Sequence, residues 1–380
     1  MMIADEFIED IDNDNTIKIS RYAFNSFGIE RSVRDLINWE KRGRVVIPDF
    51  QRFFVWDYNK CCKFIESILL NLPIPSMFMF RDREGNDERY VLVDGLQRFT
   101  CVKQFVEGKY NNGDIIRPFK INIKNSEWAN STYDSLSQAD KDSFDDYSFK
   151  INIFDSIDTD ESTKKKYMTE IFERINTGSE KLTDQEIRNA IYMSDATKKI
   201  KEQCENVKLI NMLSFSPKYS SKRCYDQEFV LRCITYYHIY TKLNNGIQCI
   251  YDGTPITTSK KNMMSDYLYF CSENKIDYLD HLNRFKEAIS LLFDYNYEIF
   301  KGVSTEKKEL TSTVHEVFAE AIVIFIMIGK NITITKEAFD FKKINYWLET
   351  TNDNNPFYSK TTSIDSIKKR IDVIENFMEK

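Results

Sequence analysis

Histidine, proline and glycine are scarce in this chain, which holds 3, 7 and 11 of them among 380 residues. So few prolines and glycines argue against long low-complexity linkers. The histidines, His238, His281 and His315, lie far apart, and His315-Glu316 lacks the second histidine of an H-E-x-x-H zinc site. We therefore expect the three histidines in the core or at the surface, and not in a metal centre.

Paired cysteine motifs and long apolar runs are also missing. The eight cysteines show no C-x-x-C pair and no zinc-type spacing, which predicts reduced, buried thiols. The longest apolar run, Ala321 to Ile328, has eight residues, whereas a membrane-spanning helix needs about 20. No basic and apolar signal segment opens the sequence. These absences predict a soluble, cytoplasmic protein without a membrane partner.

Basic residues are not in excess, because the net charge is −6. Residues 1–15 hold six carboxylates and no Lys or Arg, and we predict that they form an acidic tail. The rest of the chain has 53 basic and 53 acidic residues. A nucleic acid would therefore have to bind a local basic patch and not a generally basic protein.

Hydrophobic periodicity predicts an α+β protein, with short strands and helices first and helices almost throughout the second half. N-caps are expected at Ser32 and Asp57, and a capping box at Thr183 and Glu186. Strands are predicted at residues 17–24, 45–47, 76–81, 89–93 and 147–154. Later helices are predicted at 226–241, 263–273, 277–299, 311–329, 336–349 and 363–379. Residues 111–146 are polar and resemble an insertion or surface loop, with a short helix near 135–144.

The segment VLVDGLQR, residues 91–98, passes from a buried strand directly into a helix. Backbone N–H groups and the helix dipole favour an anion at such a helix start. Gly95 would let a phosphate approach the backbone, and Arg98 would grip it with a bidentate fork. Gln97 would orient water, and Asp94 would hold a magnesium ion between phosphates. The alternative is an ordinary helix start, with Asp94 as its N-cap and Arg98 at the surface.

A second Gln-Arg pair, Gln51 and Arg52, stands in IPDFQR, residues 47–52. Two arginines that converge on one pocket would suit a triphosphate. The alternative is a charged turn beside an aromatic cluster. A third segment, FERINTG at 172–178, has further polar donors or, alternatively, only a helix C-cap and turn. Its donors are Arg174, Asn176 and Thr177.

Four motifs occur in a fixed order, and together they resemble the N-terminal domain family of GmrSD-type modification-dependent restriction systems. They are IPDFQR (47–52), SILLNLPIP (67–75), VDGLQRFT (93–100) and FERINTG with LTDQEIRNA (172–190). With the weaker match RCYDQEFVLR (223–232), the resemblance covers roughly residues 15–240. It implies a ParB/sulfiredoxin-like fold and a bacterial protein of antiphage defence.

The resemblance also implies a site, because family members bind, and in some cases hydrolyse, NTPs through a D-G-Q-Q-R motif. Leu96 stands where the family has its first Gln, so hydrolysis is less supported than binding. The implied catalytic residues are Asp94, Gln97 and Arg98, with Asp94 as the Mg²⁺ ligand. The implied nucleotide-binding residues are Gln51, Arg52, Gly95, Arg98, Arg174, Asn176 and Thr177.

These expectations divide the chain into an acidic tail (1–15), a ParB-like nucleotide-binding domain (16–195, with the polar insertion 111–146) and a helical domain (196–380). Many relatives carry an HNH nuclease domain, but residues 196–380 have no HNH motif. The expected function is an NTP- and Mg²⁺-binding component of a restriction system that acts on DNA, with cleavage by a separate nuclease subunit. Two alternatives stay open: a stand-alone metal-dependent DNA nuclease of ParB-like fold, and a non-catalytic DNA- or protein-binding module.

Overall fold

The computed structural model describes residues 24–47, 54, 56–84, 87–113, 115–156, 161–175, 182–220, 223–251, 253–256, 259–350, 354–358 and 364–378. Two compact units divide the described residues, one within residues 17–191 and the other within residues 192–380. Each unit is considered by itself below. None of the described helices has both the length and the apolar character that crossing a membrane would require.

The first unit combines a mixed sheet with helices. Its strands are β1 Phe24–Ser32, β2 Val45–Val46, β3 Met77–Glu84, β4 Asp87–Asp94, β5 Lys109–Asn111, β6 Ile116–Pro118 and β7 Ser148–Ser156. Its helices are α1 Val33–Lys41, α2 Tyr58–Leu69, α3 Leu96–Val106, α4 Gln138–Asp146, α5 Glu161–Ile175 and α6 Asp184–Ile191.

The main sheet has five strands in the order β1-β7-β3-β4-β2. β1 pairs antiparallel with β7, β7 parallel with β3, β3 antiparallel with β4, and β4 parallel with β2. The register shifts between Phe78 and Met79, where β3 lies beside the carboxyl end of β4. β4 therefore has a strand on each side and ends at Asp94, directly before α3.

One core cluster of this unit lies on one face of the sheet, and Phe80 and Val91, which point to the other face, are buried as well. Met79 pairs with Leu92 on one side and with Ile153 on the other, and all three side chains are buried. Side chains of α2 and α3, such as Ile65 and Phe105, belong to the same core cluster. Apolar residues at alternate strand positions and along one helix stripe produce this packing.

The predicted helix starts of this unit are confirmed. Ser32 Oγ accepts a hydrogen bond from the N–H of Asp35 (3.1 Å), and Asp57 Oδ1 accepts one from the N–H of Lys60 (2.9 Å). In the capping box, the N–H of Thr183 donates to Glu186 Oε2 (2.6 Å) and the N–H of Glu186 donates to Thr183 Oγ1 (3.2 Å). These caps satisfy backbone donors that a helix start leaves without intrahelical partners.

One expectation for the first unit lies almost entirely outside the described residues, and another needs correction. The strand predicted at 17–24 lies, except for Phe24, outside the described residues, and the strand observed is β1. Residues 111–146 are not merely a surface loop, since they place four side chains in the core: Phe119, Ile121, Leu136 and Phe144. The abundance of polar residues hid these four, which are spaced too irregularly to show a strand or helix period.

The second unit is mostly helical, as predicted, with two small hairpins in addition. Its helices are α7 Asp195–Gln203, α8 Val207–Leu213, α9 Pro217–Ser220, α10 Tyr225–Asn244, α11 Lys260–Ser272, α12 Tyr278–Asn296, α13 Glu316–Met327, α14 Lys336–Glu349 and α15 Ile364–Met378. Its strands are β8 Cys249–Tyr251, β9 Thr254–Pro255, β10 Lys301–Ser304 and β11 Glu309–Val314. The sequence did not predict α7, α8 and α9.

Helix α13 is packed between α10, α12 and α15, and nearly all its side chains are buried. The helix predicted at 311–329 is wrong at its start, because residues 309–314 form β11 and pair with β10.

Buried Arg232 of α10 forms ion pairs with three carboxylates. These belong to Glu228, Glu316 and Glu320. A buried guanidinium needs such partners to offset the loss of hydration.

Candidate functional site

The strand-to-helix junction at residues 94–98 is the best-described part of the predicted site. β4 ends at Asp94, Gly95 takes a left-handed conformation with φ 106°, and α3 begins at Leu96. No side chain caps the start of α3. The alternative in which Asp94 serves as the N-cap is thus wrong, because Gly95 holds that position. The helix start keeps its positive dipole end without a carboxylate cap.

Gly95 is required by packing as well as by backbone conformation. A Cβ at this position would lie 2.8 Å from Cγ of Met77 and 3.2 Å from its Cβ. A positive φ of this kind also strains any residue with a side chain. The side of Gly95 that lacks a Cβ therefore faces Met77 of β3, so the structure supplies a reason for this glycine that does not involve a phosphate.

Arg98 is held by three oxygens in the structure. Its Nη1 donates to the carbonyls of Pro75 (2.6 Å) and Ser76 (3.0 Å), and its Nη2 donates to Oδ2 of Asp94. The side chain is only 12% exposed, so the alternative of a surface arginine is wrong. The guanidinium fastens the segment before β3 to the start of α3.

Asp94 keeps part of its carboxylate accessible, since its side chain is 47% exposed. Arg98 contacts Oδ2, and no described residue donates a hydrogen bond to Oδ1. Within the described part of the chain, no three His, Cys, Asp or Glu side chains are grouped closely enough to hold a metal ion. A single half-exposed carboxylate suits Mg²⁺, which commonly takes one or two carboxylates together with water and substrate phosphates.

Gln97 contacts the polypeptide chain close to the second motif. Its Oε1 accepts a hydrogen bond from the N–H of Trp56 at 3.2 Å. The carbonyl of Trp56 in turn accepts a hydrogen bond from the hydroxyl of Tyr110 at 2.8 Å. The side chain predicted to orient water therefore also anchors the backbone four residues after Arg52.

The remaining predicted residues are only partly described. Gln51, Arg52, Asn176 and Thr177 lie outside the described residues. Arg174 is described, near the end of α5, where its side chain is 71% exposed and forms an ion pair with Glu170 at 2.7 Å. Among the described contacts, none joins Arg174 to the junction. The structure thus brings together Asp94, Gly95, Gln97 and Arg98.

Sequence reasoning missed a charged cluster toward the other end of β3 and β4. Arg81 forms ion pairs with Asp155 of β7 and Glu88 of β4, and all three side chains are partly buried. The hydrogen bond to Asp155 is the main reason why the pKa of Arg81 is raised. No local sequence pattern predicts this cluster, because Arg81 and Asp155 become neighbours only through the parallel pairing of β3 and β7.

The three histidines occupy structural positions in the second unit. His238 and His281 are buried, with His238 Nε2 3.0 Å from the carbonyl oxygen of Ile250 and His281 Nδ1 2.7 Å from the hydroxyl of Tyr267. Burial lowers the pKa of both, that of His281 to about 4. His315 is the N-cap of α13. Neutral, packed imidazoles are what a hydrophobic core favours.

The comparisons agree with the motifs. Residues 33–193 match the family described as the GmrSD restriction endonuclease, N-terminal domain, a range that contains all four ordered motifs. No curated protein and no solved structure matches the chain. The resemblance is confirmed over these residues, and a domain of this kind marks a component of a restriction or defence system. The ParB/sulfiredoxin-like fold stays a prediction.

Proposed function

We propose, from the membership of residues 33–193 in the GmrSD restriction endonuclease N-terminal domain family, that this chain is the nucleotide-binding component of a restriction system. The supporting observation is the start of α3, which has no side-chain cap and follows the half-exposed carboxylate of Asp94. A helix N-terminus of this kind attracts the phosphate oxygens of a nucleotide. The ligand is a nucleoside triphosphate bound together with Mg²⁺.

In this proposal Asp94 holds Mg²⁺ through Oδ1, the oxygen that Arg98 does not contact. A magnesium ion supplies neutralisation of phosphate charge when it is bound. Backbone N–H groups at the start of α3 bind the phosphates. Gly95 supports them indirectly, because only a residue without Cβ allows β4 to turn into α3 beside Met77.

Arg98 acts mainly as a positioning residue in this proposal. It holds the carboxylate of Asp94 and the carbonyls of Pro75 and Ser76 at one place, and it adds positive charge beside the helix start. Direct contact between Arg98 and a phosphate requires at least one of these three hydrogen bonds to be replaced. The roles proposed for Gln51, Arg52, Asn176 and Thr177 rest on the family motifs alone.

Hydrolysis is a separate question from binding. Leu96 packs against the core cluster of the first unit, where the family motif has a glutamine. An apolar side chain cannot orient an attacking water. A hydrolysis assay over a panel of nucleotides, with and without DNA, tests turnover, and nucleotide binding without phosphate release is the result that Leu96 favours.

Nucleotide affinity tests the proposal directly. The affinity of a labelled nucleoside triphosphate is measured with and without Mg²⁺ for the wild type, Asp94→Asn, Arg98→Ala and the control Asp35→Asn. Asp94→Asn is expected to lose about tenfold in affinity, about 1.4 kcal/mol, in Mg²⁺ and little without it. Arg98→Ala should lose affinity under both conditions, because it removes positive charge and the support of Asp94.

Equal affinity in the wild type and in both junction variants would contradict the proposal. Asp35 is an exposed carboxylate in the first turn of α1, so Asp35→Asn makes the same chemical change away from the junction. Incubation with plasmid DNA and Mg²⁺ or Mn²⁺ tests the alternative of a stand-alone nuclease. Salt-dependent DNA binding without nucleotide binding would favour the non-catalytic module.

A further inference from the structure

Four exposed basic residues lie on two segments that contact each other beside the start of α2. Lys60 and Lys63 are one helical turn apart on α2, and Arg117 and Lys120 lie on β6 and just after it. The two segments are joined because the hydroxyl of Tyr58 donates to the carbonyl of Lys120 (2.7 Å) and accepts from its N–H (2.9 Å). We call Lys60, Lys63, Arg117 and Lys120 the basic surface.

The positive charge of the basic surface is not neutralised by ion pairs. None of its four side chains pairs with a carboxylate among the described residues. Among the described carboxylates nearby, Asp57 caps α2, and Glu66 lies one helical turn from Lys63 but forms no ion pair with it. By contrast, surface cations such as Lys199 and Arg284 are paired within their own helices. Because the chain is acidic overall, a nucleic acid could bind only at a local basic region. The basic surface is a region of this kind.

Aromatic rings hold two of these cations in place. The guanidinium carbon of Arg117 lies 3.2 Å from the ring centroid of Tyr58, and Lys60 Nζ lies 4.8 Å from that of Trp56. Tyr58 packs edge-on against Tyr110, and Trp56 against Phe64. Cations that rest on fixed rings lose less side-chain entropy when an anion binds.

We propose that the basic surface binds the phosphate backbone of a nucleic acid strand. Unpaired Lys and Arg side chains beside partly exposed aromatic rings suit a polyphosphate chain, whose charges repeat along its length. The basic surface is distinct from Asp94 and Arg98, yet it adjoins them through Trp56, whose N–H donates to Gln97. A nucleic acid bound here therefore lies next to the start of α3.

The test is binding of labelled duplex DNA, single-stranded DNA and RNA of equal length at several salt concentrations. The double variant Lys60→Gln/Lys120→Gln should lose about tenfold or more in affinity for the preferred polymer. Its plot of log affinity against log salt should become shallower by about two, one for each lost phosphate contact. The polymer that the wild type binds most tightly identifies the natural strand.

Two control proteins make the result decisive. Lys286→Gln/Lys307→Gln changes the net charge equally at exposed positions of the second unit and should keep wild-type affinity. Lys60→Arg/Lys120→Arg keeps the charge and should restore binding, which excludes misfolding as the cause of the loss. The proposal is overturned if the wild type binds none of the three polymers, or if the two glutamine double variants bind equally well.

Polyglutamate of the same charge serves as a competitor. If it displaces the nucleic acid at equal charge concentration, an acidic protein is the better partner and the proposal fails. Nucleotide affinity is measured in parallel, because the basic surface variant should bind nucleotide like the wild type. Asp94→Asn should conversely bind nucleic acid at least as tightly as the wild type, so failure of one proposal is distinguishable from failure of the other.

Discussion

Gly95 is the residue whose identity the structure constrains most directly. Its φ is 106°, and a Cβ would lie 2.8 Å from Cγ of Met77, a separation that real Cβ atoms do not adopt. Met77 is fully buried, so it has little room to move away. Backbone conformation and packing thus act against a larger residue at the point where β4 meets α3.

We expect Gly95→Ala to lower the free energy of unfolding by about 2–3 kcal/mol, since backbone strain and a steric clash add. Unfolding by urea measures this change in the free energy of unfolding. Gly108→Ala is the matched control, because Gly108 also has a positive φ (71°) but nothing within 4 Å of the position of a Cβ. The control should lose only about 1 kcal/mol. Equal losses in the two variants would show that the Met77 contact costs nothing.

At this scale, the sequence predicted which residues to consider but not what they contact. Asp94, Gly95, Gln97 and Arg98 are near one another in the chain, so the local pattern was enough to single them out. Their partners are distant: Pro75 lies 23 residues before Arg98, and Trp56 lies 41 residues before Gln97. Folding therefore decided that Arg98 holds two carbonyls and that Gln97 anchors Trp56.

At the scale of elements, helix starts show both the strength and the limit of sequence patterns. Ser32, Asp57 and Thr183 are residue types that favour N-caps, and all three serve as predicted. Helix α13 begins differently, because Nδ1 of His315 accepts a hydrogen bond from the N–H of Phe318 at 3.3 Å. An imidazole is an uncommon cap, so the pattern placed the helix start several residues too early.

This cap makes the stability of α13 dependent on pH. Burial, and then the charge of Lys343, lower the pKa of His315 from 6.5 to about 4. Its neutral form is therefore favoured in the folded state, and the cap needs an unprotonated Nδ1. The stability linked to His315 is complete above pH 6.5 and is lost progressively as the pH falls from 6.5 to 4.

We expect His315→Asn to keep the cap and to reduce the loss of stability between pH 7 and pH 4, by about 3 kcal/mol at most. The free energy of unfolding of the variant and of the wild type, measured at the two pH values, gives this loss of stability. His315→Ala should show the same reduced pH dependence. Its free energy of unfolding at pH 7 should be about 1 kcal/mol lower than that of His315→Asn, since it has no cap. His281 titrates in the same range and remains in both variants. An unchanged pH dependence in His315→Asn would refute the linkage.

At the scale of the whole molecule, the cysteine side chains of both units are buried or half-buried. All eight are free thiols, five of them buried and three half-buried. Burial raises the pKa of most of the thiols, including Cys101 and Cys233. A buried thiol with a raised pKa is a poor nucleophile. The prediction of buried thiols from residue spacing and apolar surroundings holds for five of the eight cysteines, and the other three are half-buried.

We expect no more than three of the eight thiols to react with Ellman's reagent in the folded protein, and all eight after unfolding. Cys204, Cys224 and Cys249 are the half-buried ones. Cys249→Ser should remove one thiol from the folded-state count if Cys249 is among those that react. By comparison, Cys233→Ser should leave that count unchanged. Rapid reaction of more than three thiols in the folded protein would contradict the burial of Cys61, Cys62, Cys101, Cys233 and Cys271.

The amino-acid sequence by itself determined the α+β class, the helical second half, the family of residues 33–193 and the four residues at the start of α3. Each depends on local periodicity or on short motifs, within each of which the residues are close in the chain. Only the tertiary structure decided the order of the sheet, the burial of Phe119 and Phe144, the three partners of Arg98 and the assembly of the basic surface. These features depend on pairing and packing between distant segments, whose free energy no local pattern contains.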